Sequence, residues 1–243
     1  TESGLEGDTV AWELNGTNAG TVGDVIFSGF ENLAGGSGDD HFIFSSDGSI
    51  SGLIDGVGGS DTLDYSHYNS EVVVDLGAGA ATNVSSFAGI ESIIGGNHEY
   101  FNYDTLGSVA EIQASERVKT AEGAIYTYVG ATPLAPLSDA TAIDWATLNF
   151  DDDNWLLNDS NTLIGVSQVQ SDWIIDQADG GRVNGIAFTG FQNLTGTSAD
   201  DNFIFADGGS ISGLIDGGSG VFAHYSTSSY TGTVASGERV LLD

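Results

Sequence analysis

The chain has 243 residues, 35 acidic side chains against four basic ones, and a net charge of −31. Arg117, Lys119, Arg182 and Arg239 cannot supply the basic footprint of a nucleic-acid binder, and an anionic membrane surface would repel the chain. With no Cys there are no disulfides, thiolate nucleophiles or zinc–cysteine sites, and no apolar run of about 18 residues exists to span a bilayer.

Apolar residues make up 40% of the chain and fall in short regular runs, which argues for a packed core despite the charge. His41 to Phe44, Ile50 to Ile54, Thr62 to Tyr65, Glu71 to Leu76 and Ile90 to Ile94 are rich in β-branched, Leu or aromatic residues. Gly, Asn, Asp and Ser clusters separate them, which is the pattern of strands and turns. Both prolines, Pro133 and Pro136, lie in 114–160, and that segment reads as a small β module. Tyr126 and Tyr128 alternate with Ile125, Thr127 and Val129, and Trp145 and Trp155 are expected to pack on that strand. Asp151, Asp152 and Asp153 read as a solvated turn.

An internal repeat organises the rest. FIFSSDGSISGLIDG (42–56) and FIFADGGSISGLIDG (203–217) share twelve of fifteen positions at an offset of 161. The match runs upstream without a gap, so that Trp12 faces Trp173 and Phe27 faces Phe188. Downstream, Gly95-Gly96 aligns with Gly217-Gly218 and Tyr103 with Tyr225, at an offset of 122. The second copy is therefore expected to be shorter by 39, the difference between the two offsets. Glycine clusters begin at Gly35 and Gly56, an offset of 21, so the missing piece is close to two such periods. Coils of a solenoid touch only their neighbours, so two can be deleted without destroying the stack. The expected fold is all-β: parallel β-solenoid blocks of roughly 20-residue coils with a small β-rich module between them. The blocks are 1–113 and 161–237, the module is 114–160, and 238–243 begins a further module. The chain reads as a piece of a longer, tandemly repeated protein.

Gly35-Gly36-Ser37-Gly38-Asp39-Asp40-His41-Phe42 fits the calcium nonapeptide G-G-x-G-x-D-x-U-x. Glycines let the backbone turn and aim carbonyls inward, and the Asp adds a hard anionic oxygen, of which calcium takes six to eight in total. Gly56 to Leu63 fits with one Gly replaced by Val57. Gly196 to Phe203 keeps the acid and loses two glycines. By these motifs the chain resembles the RTX family of secreted repeat proteins. The blocks GFENLAGGSGDDHFIF and SISGLIDGVGGSDTLDYS also look like repeats of giant bacterial surface proteins of the RTX and filamentous-haemagglutinin kind. The resemblance implies an extracellular, secreted or cell-surface segment with calcium as its ligand. Asp40 and Asp61 are the leading candidates, with Asp39, Asp55 and backbone oxygens of Gly36 and Gly38 as helpers. Asp201 and Asp216 are the counterparts in the second copy. The competing reading of each motif is a Gly-Asp turn whose Asp accepts backbone amides.

Four functions fit these residues to different degrees. A non-catalytic structural or adhesive segment is preferred. A carbohydrate-binding module would use Trp145, Trp155, Tyr126 and Tyr128 to meet a surface glycan, unless those rings are core. Self-association end to end would follow from unpaired strand edges. A polysaccharide lyase or epimerase ranks last, because it needs cationic groups beside a base.

Overall fold

The computed structural model describes residues 2–3, 9–96, 103–105, 108–114, 116–119, 125–128, 130–135, 142–149, 155–157, 161–219, 223–226 and 233–234. The chain falls into two units, Thr1–Asn97 with Ser160–Asp243, and His98–Asp159. The first unit opens with β1 (Glu2–Ser3), β2 (Ala11–Gly16), β3 (Ala19–Val22), β4 (Val25–Ser28), β5 (Leu33–Gly36) and β6 (His41–Phe44). It continues with β7 (Ile50–Val57), β8 (Thr62–Asp64), β9 (Val73–Asp75), β10 (Ala80–Ala81), β11 (Val84–Ala88) and β12 (Ser92–Ile94). The second unit holds β13 (Tyr103–Asp104), β14 (Arg117–Lys119), β15 (Ile125–Tyr128) and β16 (Trp155–Leu157). The first unit resumes with β17 (Thr162–Ile164), β18 (Asp172–Gln177), β19 (Gly180–Val183), β20 (Ile186–Thr189) and β21 (Asn193–Thr195). It closes with β22 (Asp201–Phe205), β23 (Leu214–Asp216), β24 (Ala223–Ser226) and β25 (Thr233–Val234). The protein is all-β, and a 3-10 turn at Trp145–Thr147 is the one helical element among the described residues.

Two sheets make up the first unit. One runs β1-β5-β7-β11-β10-β9-β17-β21-β23-β25, the other β24-β22-β18-β19-β20-β12-β8-β6-β2-β3-β4. Most neighbours are parallel and pair at fixed offsets. His41 faces Thr62 and Leu33 faces Ile54, both at an offset of 21. Ala11 faces His41 and Thr62 faces Ser92, both at an offset of 30. Offsets of 21 thus alternate with offsets of 30 to 34, where the sequence suggested a uniform value near the shorter one. The extra residues fold as antiparallel meanders, β2-β3-β4, β9-β10-β11 and β18-β19-β20. Asn18, Asn83, Asp179 and Asn184 sit at φ of 52°, 59°, 49° and 50° at their turns, where Asn and Asp tolerate the left-handed region.

Strand alternation sends every second side chain inward. Trp12 and Leu14 of β2, Phe42 and Phe44 of β6, and Trp173 and Ile175 of β18 are fully buried. Parallel pairing then stacks like on like. Trp12 lies on Phe42 with ring centroids 5.7 Å apart, and Trp173 repeats this on Phe203 at 5.3 Å. The column continues from Phe42 through Leu63 and Ile93 to Phe188. The two copies therefore share one core, joined where β12 pairs with β20 and β9 with β17. The indole N–H groups of Trp12 and Trp173 are buried without an acceptor. Trp12→Phe removes that unsatisfied donor and keeps a stacked ring. It is expected to lose less than half the stability lost by Trp12→Ala, about 3–5 kcal/mol, as read from urea midpoints.

One sequence alignment is corrected. Tyr103 belongs to β13 of the second unit, whereas Tyr225 of β24 faces Phe203 of β22, much as Leu63 of β8 faces Phe42 of β6. The register after Gly217 thus follows residues 56–65 with a one-residue shift rather than 95–103. Glu238-Arg239-Val240 and Asp151 to Asp153 lie outside the described residues.

In the second unit, β13 pairs with β14 in parallel, and β14, β15 and β16 are antiparallel. Its core is Val109, Ile112, Val118, Tyr128 and Ile143. Asp144 caps the 3-10 turn by accepting the N–H of Ala146. No helix among the described residues is long and apolar enough to cross a membrane.

Candidate functional site

The chemistry of the first unit concentrates where glycine-rich loops lead into β6, β8 and β22. Each loop has a Gly five residues before a buried Asp: Gly35 and Asp40, Gly56 and Asp61, Gly196 and Asp201. The spacing has a steric cause. A Cβ at Gly35 would collide with the Asp40 carboxylate, one at Gly56 with the Asp61 carboxylate, and one at Gly196 with that of Asp201. The glycine leaves the space into which the carboxylate folds.

The three acids are at most 1% exposed. They accept main-chain N–H groups from residues 30 or 21 positions earlier in the chain. The Val10 N–H donates to Asp40 Oδ1 (3.2 Å), the Asp40 N–H to Asp61 Oδ1 (2.7 Å), and the Asp61 N–H to Glu91 Oε2 (2.9 Å). Residues 10, 40, 61 and 91 thus form a ladder across the sheet with its own offsets of 30, 21 and 30. In the second copy the Ser171 N–H donates to Asp201 Oδ1 (2.9 Å). A neutral version crosses the other sheet: the Val72 N–H donates to Asn161 Oδ1 and the Asn161 N–H to Gln192 Oε1.

The two copies differ in one respect. Asp201 Oδ2 also accepts the Thr197 N–H at 2.7 Å, so both its oxygens are satisfied. In copy one, Asp40 Oδ2 and Asp61 Oδ2 are buried without any partner. Burial raises the pKa of Asp40, and the Asp61 charge raises it further against the Val10 hydrogen bond. Burial likewise raises Asp61, with Glu91, Asp39 and Asp55 adding repulsion against the hydrogen bond from Asp40. Two sealed, unpaired carboxylate oxygens in acidic surroundings are costly unless something positive joins them.

The remaining expected residues take supporting places. Asp39 is exposed and accepts the Ser60 N–H from the next loop, while Asp55 and Asp216 accept the N–H two residues ahead, from Val57 and Gly218. The Gly36 carbonyl accepts the Gly58 N–H, and the Gly38 carbonyl faces Gly59. Glu91, Asp64, Asn161 and Gln192 were not foreseen. All but Asp64 directly precede a strand, which is the signal that was missed. His41 meets Asp64 across β6 and β8 at 2.8 Å. Tyr128 is core, 5% exposed, and its hydroxyl donates to the Thr132 carbonyl at 2.7 Å. Tyr126 and Trp145 are half-buried against the same cluster, and Trp155 faces Tyr128 in the β15–β16 pairing.

No protein-family model, no curated protein and no solved structure matches the chain.

Among the described residues no three His, Asp or Glu side chains gather to hold a metal. A calcium ion would therefore take most of its oxygens from carbonyls, as its chemistry allows. The donors fit in kind. The space beside Gly35 is shared by Asp40 Oδ2 and the Gly56 carbonyl, and that beside Gly56 by Asp61 Oδ2 and the Gly89 carbonyl. Asp40 Oδ2 and Asp61 Oδ2, which have no donor, are the oxygens a calcium ion would pair, and its charge would offset theirs.

Proposed function

We propose that the first unit is a parallel β-solenoid and that the chain is a non-catalytic structural or adhesive segment of a large extracellular bacterial protein. Calcium is its stabilising ligand in copy one, held by Asp40 and Asp61 with glycine carbonyls. The observation that carries this reading is the carboxylate ladder. Asp40 and Asp61 are buried and clamp one coil to the next rather than lining a cleft that a substrate enters. Among the described residues of the first unit the one Lys or Arg is Arg182, which lies on the surface and pairs with Asp176 at 3.2 Å.

Melting followed by circular dichroism at pH 7.5, in calcium and then in chelator, tests the reading. A ligand at about 100 times its Kd that binds only the folded chain stabilises by about 2.7 kcal/mol. The melting temperature is expected to rise in calcium, and Asp40→Asn to lose most of that rise while remaining folded. An identical melt in calcium and chelator would remove calcium from the account and leave the ladder as architecture only.

A further inference from the structure

A cavity of 320 Å³ opens where β7 meets β11, a volume at the low end of the range for small-molecule sites. Residues 49–51 line one side and residues 83–85 the other. Its cause is a bulge. Ile50 pairs with Val84 and Leu53 with Ser86, so Ser51 and Gly52 stand opposite Ser85 alone. An extra residue in one strand breaks the local pairing and re-aims the side chains beside it. Ile50 and Val84, 1% and 4% exposed, give the cavity its apolar part. No charged side chain among the described residues lines it, in a chain with 35 acids.

The polar groups around it are held in place. Asn18 Oδ1 accepts the Ser51 N–H (2.8 Å), which orients the amide so that its Nδ2 donates to Ser51 Oγ (3.0 Å). The Ser51 hydroxyl therefore accepts from the protein and keeps its own proton for a ligand. Asn83 sits at φ 59°, and its Nδ2 donates to the Gly48 carbonyl (3.1 Å) and the Tyr68 hydroxyl (3.0 Å). Both amide protons are engaged, and Oδ1 remains as an acceptor with no donor among the described residues. The Ser49 and Ser85 hydroxyls have no partner there either. Copy two carries the same three residues, Ser210, Ile211 and Ser212, with the chemistry reversed. Asp179 stands where Asn18 stands, and Ser212 donates its hydroxyl proton to Asp179 Oδ2 (2.9 Å). That hydroxyl has no proton left for a ligand, and the carboxylate adds a negative charge.

We infer that the β7–β11 cavity binds one unit of a neutral saccharide. A sugar ring presents hydroxyls that donate and accept at close spacing, which is what a free serine proton, a fixed amide oxygen and two unpaired hydroxyls require. Its C–H face suits Ile50 and Val84. A wholly apolar ligand would bury these polar groups without partners. A carboxylated or phosphorylated sugar would meet the field of 31 net negative charges with no cation in the lining. The inference adds a ligand to the adhesive reading and does not depend on calcium, since no lining residue belongs to the carboxylate ladder.

Amide NMR of the isotope-labelled full chain tests this, with the methyl glycosides of glucose, galactose, mannose and N-acetylglucosamine as probes and methyl glucuronide as the charged control. At least one neutral glycoside is expected to shift the amides of residues 49–51 and 83–85 in a millimolar titration, and the glucuronide to leave them in place. Ser85→Ala and Asn83→Gly are each expected to weaken that sugar about three- to tenfold, the range of one neutral hydrogen bond. Ser85 is exposed, and glycine keeps the positive φ of residue 83, so both variants should retain the wild-type circular dichroism spectrum. Ser212→Ala, at the equivalent place in copy two, should bind as the wild type does. No shift with any neutral glycoside, a glucuronide that binds as tightly, or either cavity variant binding like the wild type would overturn the inference. The melt in calcium reports the ladder and the titration reports the cavity, so the two readings fail separately.

Discussion

Gly56→Ala is expected to destabilise the protein by about 3 kcal/mol, while Gly58→Ala, two residues away, changes stability by less than about 0.5 kcal/mol. A Cβ at Gly56 falls on the Gly89 carbonyl and on Asp61 Oδ2 together. Neither can give way cheaply. Gly89 directly follows β11, whose pairing with β7 through Ile54–Phe87 and Asp55–Ala88 fixes the backbone on both sides. Asp61 is locked by accepting the Asp40 N–H and donating its own to Glu91. At Gly58 the nearest atoms stand 4.0 Å from the added methyl, which is ordinary contact. Urea denaturation of the two variants separates the cases. Equal midpoints would mean that the loop has slack and that the ladder does not set the packing of the coil. Gly196→Ala repeats the argument in the second copy, where the Cβ would meet Asp201 and the Gly217 carbonyl at 2.6 Å.

That contrast also explains what could be read from the residues and what could not. The spacing of Gly35 and Gly56 is a true structural offset, because Leu33–Ile54 and His41–Thr62 pair at the same separation. Identity between 42–56 and 203–217 reappears as equivalent pairs, Leu33–Ile54 and Leu194–Ile215. The longer offsets were hidden because the extra residues fold as antiparallel meanders. AWELNGTNAGTVGDVIFS carries two turn pairs, but Asn15-Gly16 lies within the end of β2 and only Gly23-Asp24 sits at a reversal; the first reversal rests on Asn18 at positive φ. The Asp40–Asp61 pairing was legible from the loops being stacked. Glu91 was not, since it belongs to the next, longer coil from Asp61 and no glycine motif announces it. Asn161 was invisible for a different reason. Its partners Val72, Gly96, Gly190 and Gln192 come from both copies, and only the joined stack brings them together.

The double variant Asp40→Asn/Asp61→Asn is expected to be more stable than the wild type at pH 7.5 in chelator. The gain is read as a higher urea midpoint, and it comes from removing two buried carboxylate oxygens that have no partner. Each amide keeps an oxygen to accept the Val10 or Asp40 N–H, and its NH2 donates where a bare carboxylate oxygen stands beside a carbonyl. The direction follows from linkage. Both carboxyls have folded pKa values raised above 3.8. The folded chain therefore binds protons more tightly than the unfolded one. The stability these groups contribute is fully present below 3.8 and is lost as pH rises through their folded values. In chelator, these two groups should accordingly raise the wild-type melting temperature as pH falls through their folded values toward 3.8. The double variant should show a flatter profile, keeping only the slope due to the remaining acids. Calcium at pH 7.5 should raise the wild type alone, because protons, calcium and the two amides all remove the same pair of buried charges. A wild-type profile no steeper than that of the double variant in chelator, or a double variant less stable than the wild type at pH 7.5, would show that these carboxylates are held as anions by the amides alone. The ladder would then need neither proton nor cation.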